Sequence, residues 1–237
     1  MTFPVFLDAC VLFGQALCDT VLSIAETRAF VPYWSNDVLD EVQRVVPRSG
    51  RASVDQIRDR IVQIRRAFPN SLVEDYEVLI PAMTNDDDDR HVLAACVASP
   101  ARTLITFNEK HFPPSAVKPH DISVLHPDEF LLDQLDLHPD RVWTALTTML
   151  ERNRMPPRDF GTLATYLDRS GVPGFAAALR SGRPDLTPRA GARCSRTGCP
   201  PGRSAPSPSK RPPAAAPTGA GSQGGRRAGP VGDVPRW

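Results

Sequence analysis

Short apolar runs alternate with longer segments of helical spacing along residues 3–126. The short runs lack a strict apolar–polar alternation, which is typical of strands that are buried on both faces of a sheet. Strands and helices that alternate in this way predict an α/β domain with a mainly parallel sheet. The predicted strands are Val5–Leu7, Phe30–Trp34, Thr103–Phe107 and Ile122–Leu125.

In the intervening segments, apolar residues recur every three or four positions, and this spacing predicts helices. Two of these helices have N-terminal capping signals, which are Ser35 or Asn36 and the capping-box pair Ser53 and Gln56. The stretch Leu72–Ile80 fits neither pattern. The predicted helices are Val11–Ala25, Val38–Val46, Ile57–Phe68 and the segment between Asp89 and Pro100.

The pattern becomes wholly helical after residue 126. Apolar residues recur at helical spacing up to residue 181, with breaks at Pro156–Pro157 and Gly171–Pro173. We expect a small helical extension that follows the α/β domain. The predicted organisation is therefore an α/β domain over residues 1–126, a helical extension over 127–181 and a separate tail over 182–237.

Composition sets the tail apart from the rest of the chain. Residues 183–237 contain ten Lys or Arg and two Asp or Glu, whereas residues 1–182 contain 18 and 25. The same tail holds 11 of the 25 prolines and few large aliphatic residues. Such a segment cannot bury enough apolar surface to offset its ordering entropy, so we predict that it is disordered.

Several classes of protein are disfavoured by the sequence. No apolar run approaches the ~20 residues that span a membrane, and Asp8 interrupts the N-terminal apolar stretch, so neither a membrane span nor a secretory signal is expected. The five cysteines form neither a zinc-type spacing nor a disulfide framework. We therefore expect a cytoplasmic protein with reduced thiols.

Acidic and amide side chains follow the ends of several predicted elements. Asp8 ends the first strand, Asn108 follows the Thr103–Phe107 strand, and the four aspartates at 86–89 precede a helix. Glu41 lies about one and a half turns into the second helix. The carboxyl ends of parallel strands and the helix N-termini meet at one edge of such a sheet, so we expect these groups to gather there. Taken singly, each has an ordinary alternative as a turn, cap or surface residue.

A divalent cation would account for this concentration of negative charge. Neighbouring carboxylates repel one another unless a cation neutralises them. Oxygen ligands without His or Cys favour Mg²⁺ or Mn²⁺ over zinc, and we interpret His91, His111 and His126 as loop or helix-surface residues. Phosphodiester cleavage fits best, because a bound metal activates water and offsets charge on the phosphate.

Four further features of the sequence are the blocks Val5–Leu12, Trp34–Val42, Asp86–Ala95 and Leu104–Pro113. These blocks occur in the order found in PIN-domain ribonucleases, and in particular they resemble the VapC-type toxins of bacterial toxin–antitoxin pairs. The resemblance covers about residues 3–126, and the helical region after it resembles a C-terminal extension carried by some of these toxins.

This resemblance implies a PIN-like parallel sheet flanked by helices and a Mg²⁺- or Mn²⁺-dependent endoribonuclease that a small antitoxin holds inactive. Carried over residue by residue, Asp8, Glu41 and Asp89 are catalytic acids that bind the metal, and Asp86 is an accessory metal-binding acid. Asp37 and Asp40 lie close to Glu41 in the sequence, so the choice of Glu41 rests on the position of the acid in the family pattern.

Two positions depart from the family pattern. Asn108 stands at a catalytic position where many relatives have Asp, and we expect it to position the attacking water or the phosphate, with Thr106 in support. His111 stands where many relatives also have Asp, which argues against an acidic role there.

The resemblance further implies an RNA substrate, an antitoxin partner and a homodimer. RNA contacts are expected from basic residues around the site, namely Arg90, Lys110 and either Arg48 or Arg51. Two alternatives remain open. One is a DNA-directed or flap-type nuclease, and the other is a non-catalytic domain that binds RNA or a partner protein.

Overall fold

In the computed structural model, residues 2–48, 50 and 52–182 are described. The strands are β1 Phe3–Leu7, β2 Phe30–Ser35, β3 Leu72–Val73, β4 Thr103–Ile105 and β5 Ser123–Leu125. They form one parallel sheet in the order β3-β2-β1-β4-β5. The predicted parallel α/β architecture is confirmed.

The helices of the described residues flank this sheet and continue beyond it. Tight 3-10 turns cover Glu77–Ala82, Asp87–Asp89, Glu109–His111 and Lys118–His120. The α-helices are α1 Ala9–Phe13, α2 Gln15–Glu26, α3 Asn36–Arg48, α4 Val54–Ala67, α5 Arg90–Ala98, α6 Pro114–Val117, α7 Pro127–Leu137, α8 Pro139–Arg152, α9 Phe160–Arg169 and α10 Pro173–Ser181.

The central position of β1 explains its apolar sequence. Val5, Phe6 and Leu7 are fully buried, because β1 lies between β2 and β4 and both of its faces are covered. A strand in this position carries a continuous apolar run instead of an alternating one. The catalytic candidate Asp8 follows directly, so the buried strand fixes its backbone.

Two of the predicted capping signals form as expected. The Ser35 hydroxyl accepts the Val38 N–H at 3.3 Å at the start of α3. Ser53 and Gln56 make the reciprocal bonds of a capping box before α4. Each bond satisfies a backbone donor that the first helical turn would otherwise leave unpaired.

Some element boundaries differ from the sequence prediction. The single helix predicted over Val11–Ala25 is wrong, because the extended backbone of Gly14 (φ −83°, ψ 123°) separates α1 from α2. Glycine favours helix less than any residue except proline, so interrupting the helix at Gly14 costs little free energy. β4 ends at Ile105, before the predicted Phe107, and the ambiguous stretch 72–80 contains β3 and part of a 3-10 turn.

The helical region after β5 packs onto α2. Helices α8 and α9 both contact α2, and Arg152 on α8 pairs with Glu26 at 3.2 Å. Asp128 on α7 accepts the N–H groups of Gly174 and Phe175, both at 2.8 Å, and so holds the start of α10. Buried residues of this region belong to the same hydrophobic core as the sheet.

The proposed boundaries at residues 126 and 181 stay predictions, and the tail lies outside the described residues apart from Gly182. Among the helices of the described part of the chain, none has the length and apolar character needed to cross a membrane.

Candidate functional site

Asp8 is buried at the carboxyl end of β1, with 3 % of its surface exposed. Its N–H donates to the Ile105 carbonyl at 3.1 Å, which ties the ends of β1 and β4 together. Its Oδ2 accepts hydrogen bonds from the Thr106 hydroxyl at 2.6 Å and the Cys10 thiol at 3.1 Å. Burial raises the pKa of Asp8 and the charge of Asp89 raises it further, against the lowering effect of these two hydrogen bonds.

The same two partners of Asp8 also fix the loop that follows β4. The Thr106 hydroxyl accepts the Asn108 N–H at 2.9 Å, and Cys10 Sγ accepts the Phe107 N–H at 3.3 Å. The backbone of Asn108 is therefore held at the sheet edge where the sequence placed it. Within the described residues, no hydrogen bond of its amide side chain joins it to the acids.

The run of four aspartates divides into groups with different partners. Asp86 Oδ1 caps the turn by accepting the Asp88 N–H at 3.2 Å, and Asp87 forms an exposed ion pair with Arg90 at 2.6 Å. Asp89 precedes α5 but its carboxylate caps nothing; instead, its Oδ2 bonds His111 Nδ1 at 2.5 Å. The ordinary interpretation as capping or surface charge thus applies to Asp86 and Asp87, whereas Asp89 faces the candidate site.

Glu41 joins this cluster from α3. Its pKa is raised by partial burial, and the negative charges of Asp8 and Asp89 raise it further, whereas His91 and Arg44 lower it. The charges of Asp8, Glu41 and Asp89, which belong to three separate segments, therefore lie within electrostatic range of one another. This electrostatic arrangement would be relieved by a bound cation.

The neighbouring acids on α3 have other contacts. Asp37 Oδ2 accepts the Tyr76 hydroxyl at 2.7 Å, and Asp40 accepts the Gln43 amide at 3.2 Å. An open groove of about 760 Å³ lies beside the cluster. It is lined by Asp37, Asp40, Glu41, Arg44, Asp88, Asp89 and His91.

His111 was interpreted as a loop or helix-surface residue, and the structure adds a contact with Asp89 that the spacing of the histidines did not indicate. The 3-10 turn Glu109–His111 brings its ring to the Asp89 carboxylate, and the ligand atoms of Asp86, Asp89 and His111 all lie within 4.8 Å of one another. The family resemblance placed an acidic residue at this position, and that was the signal of its proximity to the site. His91 is a helix-surface residue on α5, as expected, and it lines the acidic groove.

The donor set is suited to a hard divalent cation. Carboxylate oxygens of Asp8, Glu41 and Asp89, with Asp86 close to Asp89, are the ligands that Mg²⁺ and Mn²⁺ prefer. His111 supplies a nitrogen, which such ions favour less, and it already contacts the Asp89 carboxylate. It therefore fits best as a partner that orients Asp89.

The residues proposed to contact RNA are Arg90, Lys110 and either Arg48 or Arg51. Arg90 is engaged by Asp87, Lys110 and Arg48 are exposed, and Arg51 lies outside the described residues. Their contact with RNA stays a prediction.

Comparisons with known proteins match both parts of the chain. Residues 4–110 match the PIN domain family, and residues 127–181 match the VapC50 C-terminal domain family. A Mycobacterium tuberculosis protein named "Putative ribonuclease VapC50" is 45% identical over 115 residues. That match covers 48% of this chain and 66% of the relative, so it spans just under two thirds of the relative's length. No solved structure matches the chain.

Proposed function

We propose that this chain, in which residues 4–110 match the PIN domain family, is a Mg²⁺- or Mn²⁺-dependent endoribonuclease and the toxin of a type II toxin–antitoxin pair. The observation that carries the proposal is the acidic cluster in which the ligand atoms of Asp86, Asp89 and His111 lie within 4.8 Å of one another and the charges of Asp8 and Asp89 act on Glu41. Repulsion between the carboxylates destabilises such a cluster when no cation is bound, and a bound cation removes this repulsion. The relative's printed name, which describes a ribonuclease, supports RNA as the substrate.

In this proposal Asp8, Glu41 and Asp89 hold the metal, with Asp86 in an accessory position. When bound, the ion lowers the pKa of a water and offsets negative charge on the attacked phosphate. The Thr106 and Cys10 hydrogen bonds hold Asp8 in one orientation before any ion arrives. This preorganisation reduces the rearrangement that metal binding requires.

The amide of Asn108 can donate to a phosphate oxygen or accept from a water, so it positions either group beside the acids. His111 holds the Asp89 carboxylate through its ring nitrogen. Because Asn108 and His111 both stand at acidic positions of the family pattern, the site carries less negative charge than one with carboxylates at both positions. We expect a weaker metal affinity as a consequence.

A protein antitoxin is the proposed regulatory partner, and a homodimer is the proposed assembly. The acidic groove beside Glu41 repels RNA phosphates but suits basic side chains of a protein. An antitoxin that places Arg or Lys there would compete with the metal for the same carboxylates.

The proposal is tested by cleavage of labelled single-stranded RNA and sequence-matched DNA in EDTA, Mg²⁺ and Mn²⁺. Asp8→Asn and Asp89→Asn should each lower RNA cleavage at least about 100-fold, since each removes a metal-binding charge. Asp87→Asn is the matched control, because Asp87 is exposed and pairs only with Arg90 among the described residues. Wild-type activity in the Asp8→Asn variant would refute the assignment.

The same assay separates the alternatives. Preferential cleavage of DNA would favour the flap-type nuclease, and a folded wild-type protein that binds RNA but cleaves nothing with either metal would favour a non-catalytic role. Expression in bacteria provides the cellular test. Growth arrest with new RNA 5′ ends, absent with Asp8→Asn and relieved by a co-expressed antitoxin, is the expected result for a toxin.

A further inference from the structure

A second recess, of about 620 Å³, lies next to Asp8, because Cys10 lines it and the Cys10 thiol donates a hydrogen bond to Asp8. Cys10 and Phe107 line it, and they are joined by the bond from the Phe107 N–H to Cys10 Sγ. Tyr166 and Arg169 on α9 line it as well, so the PIN domain and the C-terminal helices both contribute walls. The proposed catalytic residues Asp8, Glu41, Asp89 and Asn108 are not among the residues that line this recess.

The charge of this recess is opposite to that of the acidic groove. Arg169 lines it, and no carboxylate stands among its described lining residues. Five carboxylates line the acidic groove, including Glu41 and Asp89. A polyanion that approaches Asp8 from the side of Arg169 is therefore repelled less than one that approaches through the acidic groove.

Aromatic side chains give the recess flat apolar surfaces. Phe13, Phe107 and Tyr166 line it, and Tyr166 is 37% exposed although it is a large side chain. Phe107 is held in place, because its ring contacts His126 edge-on with centroids 5.0 Å apart. A β-carbon on Gly171 would lie 3.0 Å from the same ring, so the two residues are closely packed. An exposed aromatic beside fixed ones suits the stacking of a nucleobase.

We propose that this recess binds the nucleotide adjacent to the scissile phosphate of single-stranded RNA, with the base against Tyr166 and a phosphate on Arg169. The inference rests on the proposed ribonuclease function and adds a substrate subsite to it. The volume of the recess lies within the range of about 300–1,000 Å³ that small-molecule sites occupy. The C-terminal helices thereby take part in substrate binding instead of only covering α2.

The test measures binding of a 5′-fluorescein-labelled single-stranded RNA hexamer to the full chain carrying Asp8→Asn, so that no cleavage occurs. Adding Arg169→Ala should weaken binding about tenfold and reduce the slope of log affinity against log salt by about 0.7, the value for one phosphate contact on a single strand. Adding Tyr166→Ala should weaken binding about tenfold without changing that slope, whereas Tyr166→Phe should retain affinity.

Arg180→Ala is the matched control, because it removes the same charge from the helical region at a side chain that pairs with Asp168. Arg169→Lys should keep the salt slope, which distinguishes loss of a charge from loss of structure. Unchanged affinity and slope in both Arg169→Ala and Tyr166→Ala would overturn the subsite. Because this assay needs no catalysis, absence of cleavage by the wild-type chain would refute the ribonuclease proposal separately.

Discussion

The Thr106 hydroxyl donates a 2.6 Å hydrogen bond to Asp8 Oδ2 across 98 positions of sequence. The same hydroxyl accepts the Asn108 N–H at 2.9 Å. Because the Thr106 oxygen accepts the Asn108 N–H, the hydroxyl proton points to Asp8. The carboxylate is thus oriented by the neighbouring strand end, and the loop that carries Asn108 is fixed by the same oxygen.

Thr106→Val keeps the β-branched shape of the side chain and removes this hydroxyl. We expect the free energy of unfolding to fall by about 1–3 kcal/mol, because the buried Asp8 and the partly buried Asn108 N–H each lose a hydrogen bond. The bond to Thr106 lowers the pKa of Asp8, so its loss should raise that pKa further. The acidic limb of the metal-activated cleavage profile should then move to higher pH, as measured by kcat against pH.

Thr106→Ser serves as the control, since it keeps the hydroxyl and should keep the wild-type pH profile. A Thr106→Val variant with an unshifted profile and full stability would show that the bond does not govern the ionisation of Asp8.

The raised pKa of Asp8 makes stability depend on pH in a defined direction. Because its pKa in the folded protein lies above the ordinary value of 3.8, the folded state holds the proton more tightly than the unfolded state does. The stabilising contribution of this group is therefore complete below its unfolded pKa. It is lost as the pH rises through the folded pKa.

Asp8→Asn removes this penalty while its amide oxygen can still accept the bonds from Thr106 and Cys10. In EDTA at about pH 7.5, we expect the variant to have a higher free energy of unfolding than the wild type, because it does not bury a charged carboxylate. The difference should narrow as the pH falls toward 4, and saturating Mg²⁺ should stabilise only the wild type. Urea unfolding at several pH values measures this, and a variant that is less stable at every pH would contradict it.

The contact between His111 and Asp89 leads to a prediction about metal affinity. His111→Ala removes the group that orients the Asp89 carboxylate, and loss of such a partner typically costs about 10–100-fold in affinity or activity. The concentration of Mn²⁺ for half-maximal cleavage should rise accordingly. His111→Asp should recover part of the loss, because it supplies a charge that attracts the cation.

His120→Ala is a suitable control in this series, since His120 ends a separate 3-10 turn at Lys118–His120. Equal Mn²⁺ requirements for His111→Ala and the wild type would show that the His111 ring does not orient Asp89 for metal binding.

The parallel sheet and the position of Asp8 at the carboxyl end of β1 followed from the sequence for a clear reason. Buried strands leave continuous apolar runs, and parallel topology places their carboxyl ends at one edge. The role of His111 was missed because its approach to Asp89 depends on a 3-10 turn, a feature without a distinct periodicity. The break at Gly14 was likewise hidden, since the apolar spacing continues across it from α1 into α2.

The recess beside Cys10 could not be anticipated for a different reason. It exists only because α9 packs near α1 and α2, and the packing of two elements more than a hundred residues apart is not encoded in local pattern. Residues such as Tyr166 and Arg169 look like ordinary helix-surface positions until that packing is known.

Gly171→Ala tests whether the C-terminal helices influence the site through Phe107. Gly171 has a φ of +89°, and an added β-carbon would lie 3.0 Å from Phe107 Cε1. Backbone strain and the displaced ring together should cost about 1–3 kcal/mol of unfolding free energy. Gly161→Ala is the control, because it adds a methyl group to α9 without a positive φ and should change stability by less than about 1 kcal/mol.

A movement of Phe107 should also displace the proposed catalytic acid, Asp8. The Phe107 N–H donates to Cys10 Sγ, and the Cys10 thiol donates to Asp8 Oδ2. We therefore expect Gly171→Ala to lower kcat several-fold at temperatures where the variant remains fully folded, whereas Gly161→Ala keeps the wild-type rate. If Gly171→Ala loses stability but keeps kcat, the displacement is absorbed by the ring and the backbone bond to Cys10 is undisturbed. Full stability in Gly171→Ala would instead mean that the close contact between Gly171 and Phe107 relaxes at no cost.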